Sequence, residues 1–210
     1  MNQSFLQKIS ESFKRKIYDF EDYVFEKRHS IELSGIVSGK DLIAENINSL
    51  QHATAYHAVW CRNLRALFSE VEKTGYPYEN FVDIGSGKGK ACFYANSKNK
   101  FNKIIGVEFS KPLVEIANKN KVKIKAKNIT FINIDATEFN LPDEKNLIFM
   151  FNPFDKTILN TFIANNLNHF KKNKSIIAYA NDIERMCLTQ FGFETIFRNQ
   201  SRKISIYQLP

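Results

Sequence analysis

Three glycines at alternate positions follow a short apolar run near the middle of the chain. Residues 80–90 read NFVDIGSGKGK, and the next five, ACFYA, have the composition of a helix. Strand, glycine turn and helix form the geometry in which a backbone approaches a nucleotide-like ligand, because glycine has no side chain to keep the two apart. The following helix offers its unpaired N–H groups to the same ligand. This stretch predicts an α/β fold with a ligand site at the glycine turn.

The glycine spacing and the preceding acid narrow the choice of ligand. A dinucleotide site reads G-x-G-x-x-G, whereas the third glycine here, Gly89, comes one residue early, and Lys88 lacks the following Ser or Thr of a P-loop. Asp83, two residues before Gly85, would repel a polyphosphate, but it can accept hydrogen bonds from an ammonium group. A ligand with a cationic amino-acid head and a nucleoside tail fits this site. S-adenosylmethionine has both parts.

Strand and helix patterns alternate from residue 81 onward. Strands are predicted at 81–84, 103–107, 129–133, 147–151 and 175–180, with helices at 90–97, 111–121, 156–170 and 183–190. This alternation predicts a parallel sheet with helices on both faces. At the end of the chain, segments 193–197 and 204–207 are joined by a polar turn without a helix. They predict a hairpin that makes the sheet mixed.

The first part of the chain is predicted to be a helical extension. Its first thirty residues have the spacing of an amphipathic helix, with a stripe formed by Phe5, Ile9, Phe13, Ile17 and Phe20. Such a helix, with basic residues beside its stripe, docks on its parent domain or lies on an anionic membrane; we expect docking. A second helix is predicted over 54–73. We therefore expect an N-terminal helical extension or cap at 1–75 and a Rossmann-like catalytic domain at 76–210.

Composition constrains the partners and the compartment. The chain has 30 Lys and Arg against 22 Asp and Glu, a net charge of +8, which favours anionic partners such as nucleic acid. The lysine clusters fall between predicted elements without interleaved aromatic residues, so nucleic acid is not the favoured partner. Three distant cysteines form neither a disulfide framework nor a zinc motif, and we expect no metal. No apolar run reaches the ~20 residues that span a bilayer. We expect a cytoplasmic protein.

Acids also end the next two predicted strands, at the edge where ligands of open α/β sheets bind. Glu108 lies 19 residues after Gly89, near the ~20 at which an acid binds ribose hydroxyls. Phe109 beside it can stack on a purine. Asp135 ends the third strand and is followed by Ala136. Its carboxylate can accept a hydrogen bond from an adenine amino group.

Three segments together resemble the class I S-adenosylmethionine-dependent methyltransferases: residues 83–90, 106–110 and 151–154. They are similar to small bacterial members of that family without an assigned substrate. The resemblance implies a Rossmann-like fold with a mixed seven-stranded sheet, its last strand antiparallel, and S-adenosylmethionine as the cofactor. It implies cofactor contacts from Asp83, Gly85, Ser86, Gly87, Gly89, Glu108, Phe109, Asp135, Ala136 and Asn152.

The end of the fourth predicted strand carries the expected catalytic residues. Amino-group methyltransferases of this family have Asn or Asp, two prolines and an aromatic residue there; the Asn side chain and the next carbonyl hold the target amine. Here Asn152 and Pro153 match, but the second proline is missing and the aromatic Phe154 comes one place early. The resemblance implies catalytic roles for Asn152 and Pro153, and substrate contacts for Phe154, Tyr56 and His57. If the acceptor is a hydroxyl, His57 is the candidate general base.

We expect a methyltransferase that acts by direct displacement on a protein side chain or a small molecule, with an amine as the favoured acceptor. Three alternatives remain open at this point. The first is a nucleic-acid methyltransferase, and the second is a non-catalytic module that binds S-adenosylmethionine or a nucleotide. The third is a nicotinamide-dependent reductase. The sequence gives no indication of the oligomeric state.

Overall fold

A computed structural model describes residues 3–38, 42, 47–75 and 77–210, without side-chain detail for 3–11 and 47–49. Its strands are β1 Asn80–Ile84, β2 Lys103–Glu108, β3 Ile129–Asn133, β4 Asn146–Phe151, β5 Ile176–Ala180, β6 Glu194–Asn199 and β7 Ile204–Gln208. Its α-helices are α1 Gln3–His29, α2 Ile47–His52, α3 Cys61–Lys73, α4 Lys90–Asn96, α5 Lys111–Lys123, α6 Lys156–Asn173 and α7 Arg185–Gln190.

The strands form one seven-stranded sheet in the order β3-β2-β1-β4-β5-β7-β6. Strands β1 to β5 run parallel to one another, whereas β7 runs antiparallel between β5 and β6. The predicted fold, a mixed seven-stranded sheet with its last strand antiparallel, is confirmed. Strand β1 is flanked by β2 and β4, so the carboxyl ends of these three strands meet at one edge of the sheet.

Two apolar layers hold the helices on opposite faces of the sheet. Phe81 of β1 and Phe149 of β4 face the layer that includes side chains of α3, α4 and α5. Val82 and Ile84 face the other layer, with side chains of α6 and α7. This alternation follows from the two-residue period of a strand. Ile31 belongs to the first layer, so residues before the sheet share its core; the division at residue 75 stays a prediction.

The predicted helix over 54–73 begins later, at Cys61. Residues 53–60, which we call the strap, are instead largely extended and lie against the loop that follows β4. Ala53 pairs with Phe154, and the Thr54 N–H donates to the Pro153 carbonyl over 3.1 Å. Tyr56 pairs in the same way with Val37. Hydrogen bonds to distant segments therefore replace the local ones that a helix would make.

Helix α1 docks on the domain by a different face from the one expected. Phe13, Ile17 and Phe20 of the predicted stripe are exposed, whereas the side chains of Phe5 and Ile9 lie outside the described residues. The docked side carries Tyr18, which packs on Trp60, and Phe25, which packs against the first apolar layer. The prediction of docking through the Phe13–Ile17–Phe20 stripe is wrong.

A buried ion pair fixes the docked face of α1. The Asp22 carboxylate lies 2.6 Å from the Lys90 ammonium and also accepts a hydrogen bond from the Cys61 N–H over 2.9 Å. Lys90 is buried at the start of α4, and a buried charge requires a partner.

Across the described residues, no helix has both the length and the hydropathy to cross a bilayer.

We expect Asp22→Ala to lower the free energy of unfolding by about 3 kcal/mol, because removing one partner leaves the Lys90 charge buried and uncompensated. Asp19→Ala removes an exposed acid from the same helix and should change stability by less than about 0.5 kcal/mol. Urea unfolding of both variants measures the difference. Equal stabilities would show that α1 does not depend on this ion pair.

Candidate ligand-binding cleft

A cleft opens at the carboxyl ends of β1, β2 and β4, between the glycine turn and the strap. It encloses about 860 Å³ of empty space, part of it open to solvent. Its walls combine apolar side chains of β4 and of the loop after it with polar groups at the strand ends. This is the edge where parallel α/β sheets bind ligands.

The three acids predicted to surround one ligand all line this cleft. Asp83 comes from β1, Glu108 from the end of β2, and Asp135 follows β3. The neighbouring strands bring them together because their carboxyl ends lie at the same edge of the sheet. Among the other predicted cofactor residues, Gly85, Ser86, Phe109 and Ala136 also line the cleft, whereas Gly87, Gly89 and Asn152 do not.

Asp83 is a buried carboxyl group without a cationic partner among the described residues. Burial raises its pKa from 3.8 to about 8, against the opposing effect of the Cys92 thiol. That thiol lies 3.7 Å from the carboxylate. A cation entering the cleft would stabilise the ionised form of Asp83. The carboxyl group is therefore suited to an ammonium group of a ligand.

Glu108 is held by backbone N–H groups. One carboxylate oxygen accepts from Gly87 and the other from Ser110, both over 2.9 Å. Burial raises the pKa of Glu108 to about 6, although these hydrogen bonds lower it. Each oxygen keeps a second lone pair, so the side chain can still accept from a pair of ligand hydroxyls.

The glycine turn is in close contact with the elements that cover it. A Cβ atom on Gly85 would lie 2.3 Å from Cβ of Pro153, and one on Gly87 would lie 2.2 Å from the Tyr56 ring. Both glycines have positive φ, which larger residues rarely adopt. Between them, the buried Ser86 hydroxyl has no hydrogen-bond partner in the part of the chain that the structure describes. The turn thus leaves one polar atom available to a ligand.

Asp135 begins a short 3₁₀ turn, Ala136–Glu138. Its carboxylate accepts from the N–H and the hydroxyl of Thr137, over 2.8 and 2.7 Å. These bonds fix the side chain, while Asp135 and Ala136 still line the cleft. Asp135 is therefore both a cap and a potential ligand contact.

Three hydrogen bonds from other parts of the chain hold Asn152 and Pro153 in place. The Asn152 side-chain oxygen accepts from the Tyr179 hydroxyl over 3.0 Å, and its carbonyl accepts from the Thr54 hydroxyl over 2.7 Å. The Pro153 carbonyl accepts from the Thr54 N–H. Burial raises the pKa of Tyr179 well above its ordinary value, so its hydroxyl remains a donor. Asn152 also adopts a positive φ of 43°.

The three predicted substrate residues all line the cleft. Tyr56 donates its hydroxyl to the Leu33 carbonyl over 2.8 Å, which fixes its ring over the glycine turn. His57 is exposed, and its Nδ1 lies 3.1 Å from the Ala58 carbonyl. Because a carbonyl only accepts, Nδ1 is the donor there, and Nε2 keeps the lone pair of the neutral ring. Phe154 is buried in the wall.

Thr54 and Tyr179 are site residues that the sequence does not reveal. Thr54 lies in a segment that was predicted to be helical, and Tyr179 lies inside an apolar strand with nothing to distinguish it from a core residue. Only the hydrogen bonds across the fold reveal them. No group of three or more His, Cys, Asp or Glu that could hold a metal occurs within the described ranges.

Comparison with known proteins gives the family of the domain. Residues 77–202 match the sequence profile of a methyltransferase domain. No match was found among the curated proteins.

Three solved structures share the fold at low sequence identity. A ribosomal protein L11 methylase from Lactobacillus delbrueckii subsp. bulgaricus is 13% identical, with a TM-score of 0.51 over 70% of this chain and 77% of that one. A SAM-dependent methyltransferase from Aquifex aeolicus is 16% identical, with a TM-score of 0.54 over 68% of this chain and 89% of that one. Magnesium protoporphyrin IX methyltransferase from Synechocystis PCC 6803 with bound SAM is 13% identical, with a TM-score of 0.50 over 70% of this chain and 76% of that one. The L11 methylase and the protoporphyrin methyltransferase act on different classes of acceptor.

We expect Asp83→Asn to become more stable than the wild type as the pH rises, when no ligand is bound. The pKa of Asp83 is about 8 in the folded protein and near 3.8 in the unfolded chain. Between these values the unfolded chain has lost the proton that the folded protein keeps, so rising pH favours unfolding. Each pKa unit corresponds to about 1.4 kcal/mol, so the variant should gain a few kcal/mol at pH 8 and almost nothing at pH 4.

Urea unfolding of the wild type and Asp83→Asn at several pH values measures this effect. Asp19→Asn, which changes an exposed acid, is the matched control and should follow the wild type at every pH. A constant difference between wild type and Asp83→Asn would mean that this carboxyl group ionises normally.

Proposed function

This chain belongs to the class I S-adenosylmethionine-dependent methyltransferases, with S-adenosylmethionine as its cofactor, and we propose that it is a catalytically active member. In this proposal it transfers a methyl group to a protein side chain or a small molecule, with an amine as the favoured acceptor. The observation that carries the proposal is that Asp83, Glu108 and Asp135 line one cleft beside the glycine turn.

The polar groups of the cleft fit the parts of this cofactor. We assign the ammonium group of its amino-acid part to Asp83, whose burial makes an incoming cation favourable. Glu108 would accept from the two ribose hydroxyls, as the acid after the second strand does in related nucleotide sites. Asp135 and Phe109 would contact the adenine. The unpartnered Ser86 hydroxyl supplies a further hydrogen bond at the turn.

The bound cofactor supplies a methyl group already activated by a positively charged sulfur. The protein therefore has to align an acceptor with that methyl group and exclude water. Phe149, Phe151 and Phe154 give the cleft an apolar wall next to Pro153. The strap, which lies against the same loop, also lines the cleft. These surfaces favour an acceptor that carries an apolar or aromatic part.

We propose that an amine acceptor is held by Asn152 and Pro153, although only Pro153 of this pair lines the cleft. Their oxygens already accept from Tyr179 and Thr54, but each oxygen has a second lone pair that an amine N–H can use. The existing bonds also fix the direction of these oxygens. We therefore propose that Tyr179 is a positioning residue, which acts on the acceptor through Asn152.

Two observations favour other acceptors. The exposed His57, with its Nε2 lone pair, lies in the cleft wall and would take the proton of a hydroxyl acceptor. The net charge of +8 favours an anionic acceptor such as nucleic acid. Both remain second candidates beside the amine.

We expect Glu108→Gln to lose binding of S-adenosylhomocysteine, because an amide cannot accept two hydroxyl hydrogen bonds through both of its ends. For the wild type, ligand at 100 times its Kd should stabilise the fold by about 2.7 kcal/mol. Thermal unfolding with and without ligand measures this shift. Glu115→Gln, on the exposed side of α5, is the control and should keep the full shift.

A shift with NADH and none with S-adenosylhomocysteine would overturn the cofactor assignment. Full binding by Glu108→Gln would instead show that the ribose lies elsewhere.

We expect Asn152→Ala and Tyr179→Phe to slow methyl transfer while cofactor affinity stays within about twofold, because both act on the acceptor. A loss of about 10- to 100-fold in kcat corresponds to one misplaced orienting group. Transfer of a labelled methyl group into a cell extract, separated into protein, nucleic acid and small molecules, identifies the acceptor class. Tyr207→Phe removes a hydroxyl from the neighbouring strand β7 and should leave the rate unchanged.

Label in the nucleic-acid fraction alone would replace the first proposal with the second candidate. Cofactor binding without transfer into any fraction would favour a non-catalytic binding module.

A further inference from the structure

The outer side of α1 carries an apolar stripe that the described part of the fold leaves uncovered. Phe13, Ile17, Phe20 and Val24 are 65%, 50%, 66% and 44% exposed. At 3.6 residues per turn they lie within an arc of about 60°. Single exposed apolar residues are ordinary, but a continuous row of four marks an interaction surface.

This stripe lies away from the contacts that hold α1 on the domain. Tyr18, Asp22 and Phe25 dock at a position about 140° around the helix from the centre of the stripe. Packing α1 more closely on its own domain would therefore not cover Phe13 or Phe20. The partner has to come from outside the described fold.

Cations border the stripe on both sides. Lys16 and Lys27 lie along one border, and Lys14 and Arg28 along the other; all four residues are exposed. Of the α1 acids whose side chains the structure describes, Glu21 pairs with Arg65 and Asp22 with Lys90. Asp19 and Glu26 lie more than a quarter turn from the stripe.

We propose that this face of α1 binds the surface of a bilayer that contains anionic lipid. An apolar stripe between two rows of cations matches an interface in which anionic headgroups lie above acyl chains. The helix would lie in the plane of the membrane, with Phe13, Ile17, Phe20 and Val24 below the headgroups. The domain would then sit on the aqueous side, attached through Asp22 and Phe25.

Two other occupants fit the surface less well. Nucleic acid would satisfy the cations but leave the apolar stripe in water, because phosphates are contacted by polar groups. A second copy would cover the stripe, but its four side chains expose only about 400 Å² together, about half of what each partner buries in a stable standard interface. Only an anionic lipid surface matches both the apolar stripe and the cations that border it.

The outer face of α1 is a different surface from the cleft, and lipid binding there does not depend on methyl transfer. Sedimentation of the full chain with vesicles of phosphatidylcholine alone, or of phosphatidylcholine and phosphatidylglycerol in equal parts, tests the proposal. We expect binding to the anionic vesicles, weak binding to the neutral ones, and partial release at high salt because the electrostatic part is screened.

Three variants separate the contributions. Phe13→Ser with Phe20→Ser should weaken vesicle binding by about tenfold or more, since it removes most of the apolar area. Lys14→Gln with Lys16→Gln should weaken binding to anionic vesicles and leave the neutral ones unchanged. Ile183→Ser with Met186→Ser, which removes exposed apolar residues elsewhere, should bind like the wild type. All three should keep the unfolding midpoint of the wild type, because none changes a docked side chain.

Lack of binding to anionic vesicles by the folded wild type would overturn the proposal. Equal binding by the Phe13→Ser, Phe20→Ser variant would also overturn it. Light scattering would also overturn it by showing a dimer that depends on Phe13 and Phe20 in a protein that does not bind vesicles. Binding to RNA in preference to vesicles would overturn it as well.

Discussion

The close approach of the glycine turn to its neighbours determines the shape of the cleft. Pro153 lies against Gly85 and Tyr56 against Gly87, at distances that leave no room for a Cβ atom. These two contacts bring the loop after β4 and the strap onto the end of β1. Thr54 then ties the strap to the loop with two hydrogen bonds. A larger residue in the turn would separate three segments of the chain at once.

The site also contains two carboxyl groups, Asp83 and Glu108, that are buried without a cationic partner among the described residues. Asp83 and Glu108 both have raised pKa values because the sheet edge withdraws them from water, but Glu108 is stabilised by two backbone N–H groups and Asp83 is not. The two acids consequently differ in what they can bind. Asp83 gains most from a cation, whereas Glu108 can accept from neutral hydroxyls. This difference is the basis of the proposed assignment of the ammonium group to Asp83 and of the ribose hydroxyls to Glu108.

The sequence was sufficient for the sheet, its mixed edge and the family, because strand periods and glycine spacing are local signals. It was not sufficient for the strap or the docked face of α1. Residues 53–60 are extended through bonds to Pro153 and Val37, which no local pattern encodes. In α1 the apolar period favours Phe13 and Ile17 as the docked face, but a buried pair with the distant Lys90 decides otherwise. Site residues held by tertiary hydrogen bonds, such as Tyr179, were missed for the same reason.

The pair between Asp22 and Lys90 makes α1 part of the electrostatics of the cleft, since Lys90 belongs to its wall. The first helix supplies the counter-ion of a cation in the wall of the cleft that we assign to the cofactor. In a chain shortened to begin after α1, a positively charged ligand would meet an unneutralised ammonium in that wall. Poor ligand affinity in such a fragment would then reflect a missing negative charge, even with every pocket side chain in place.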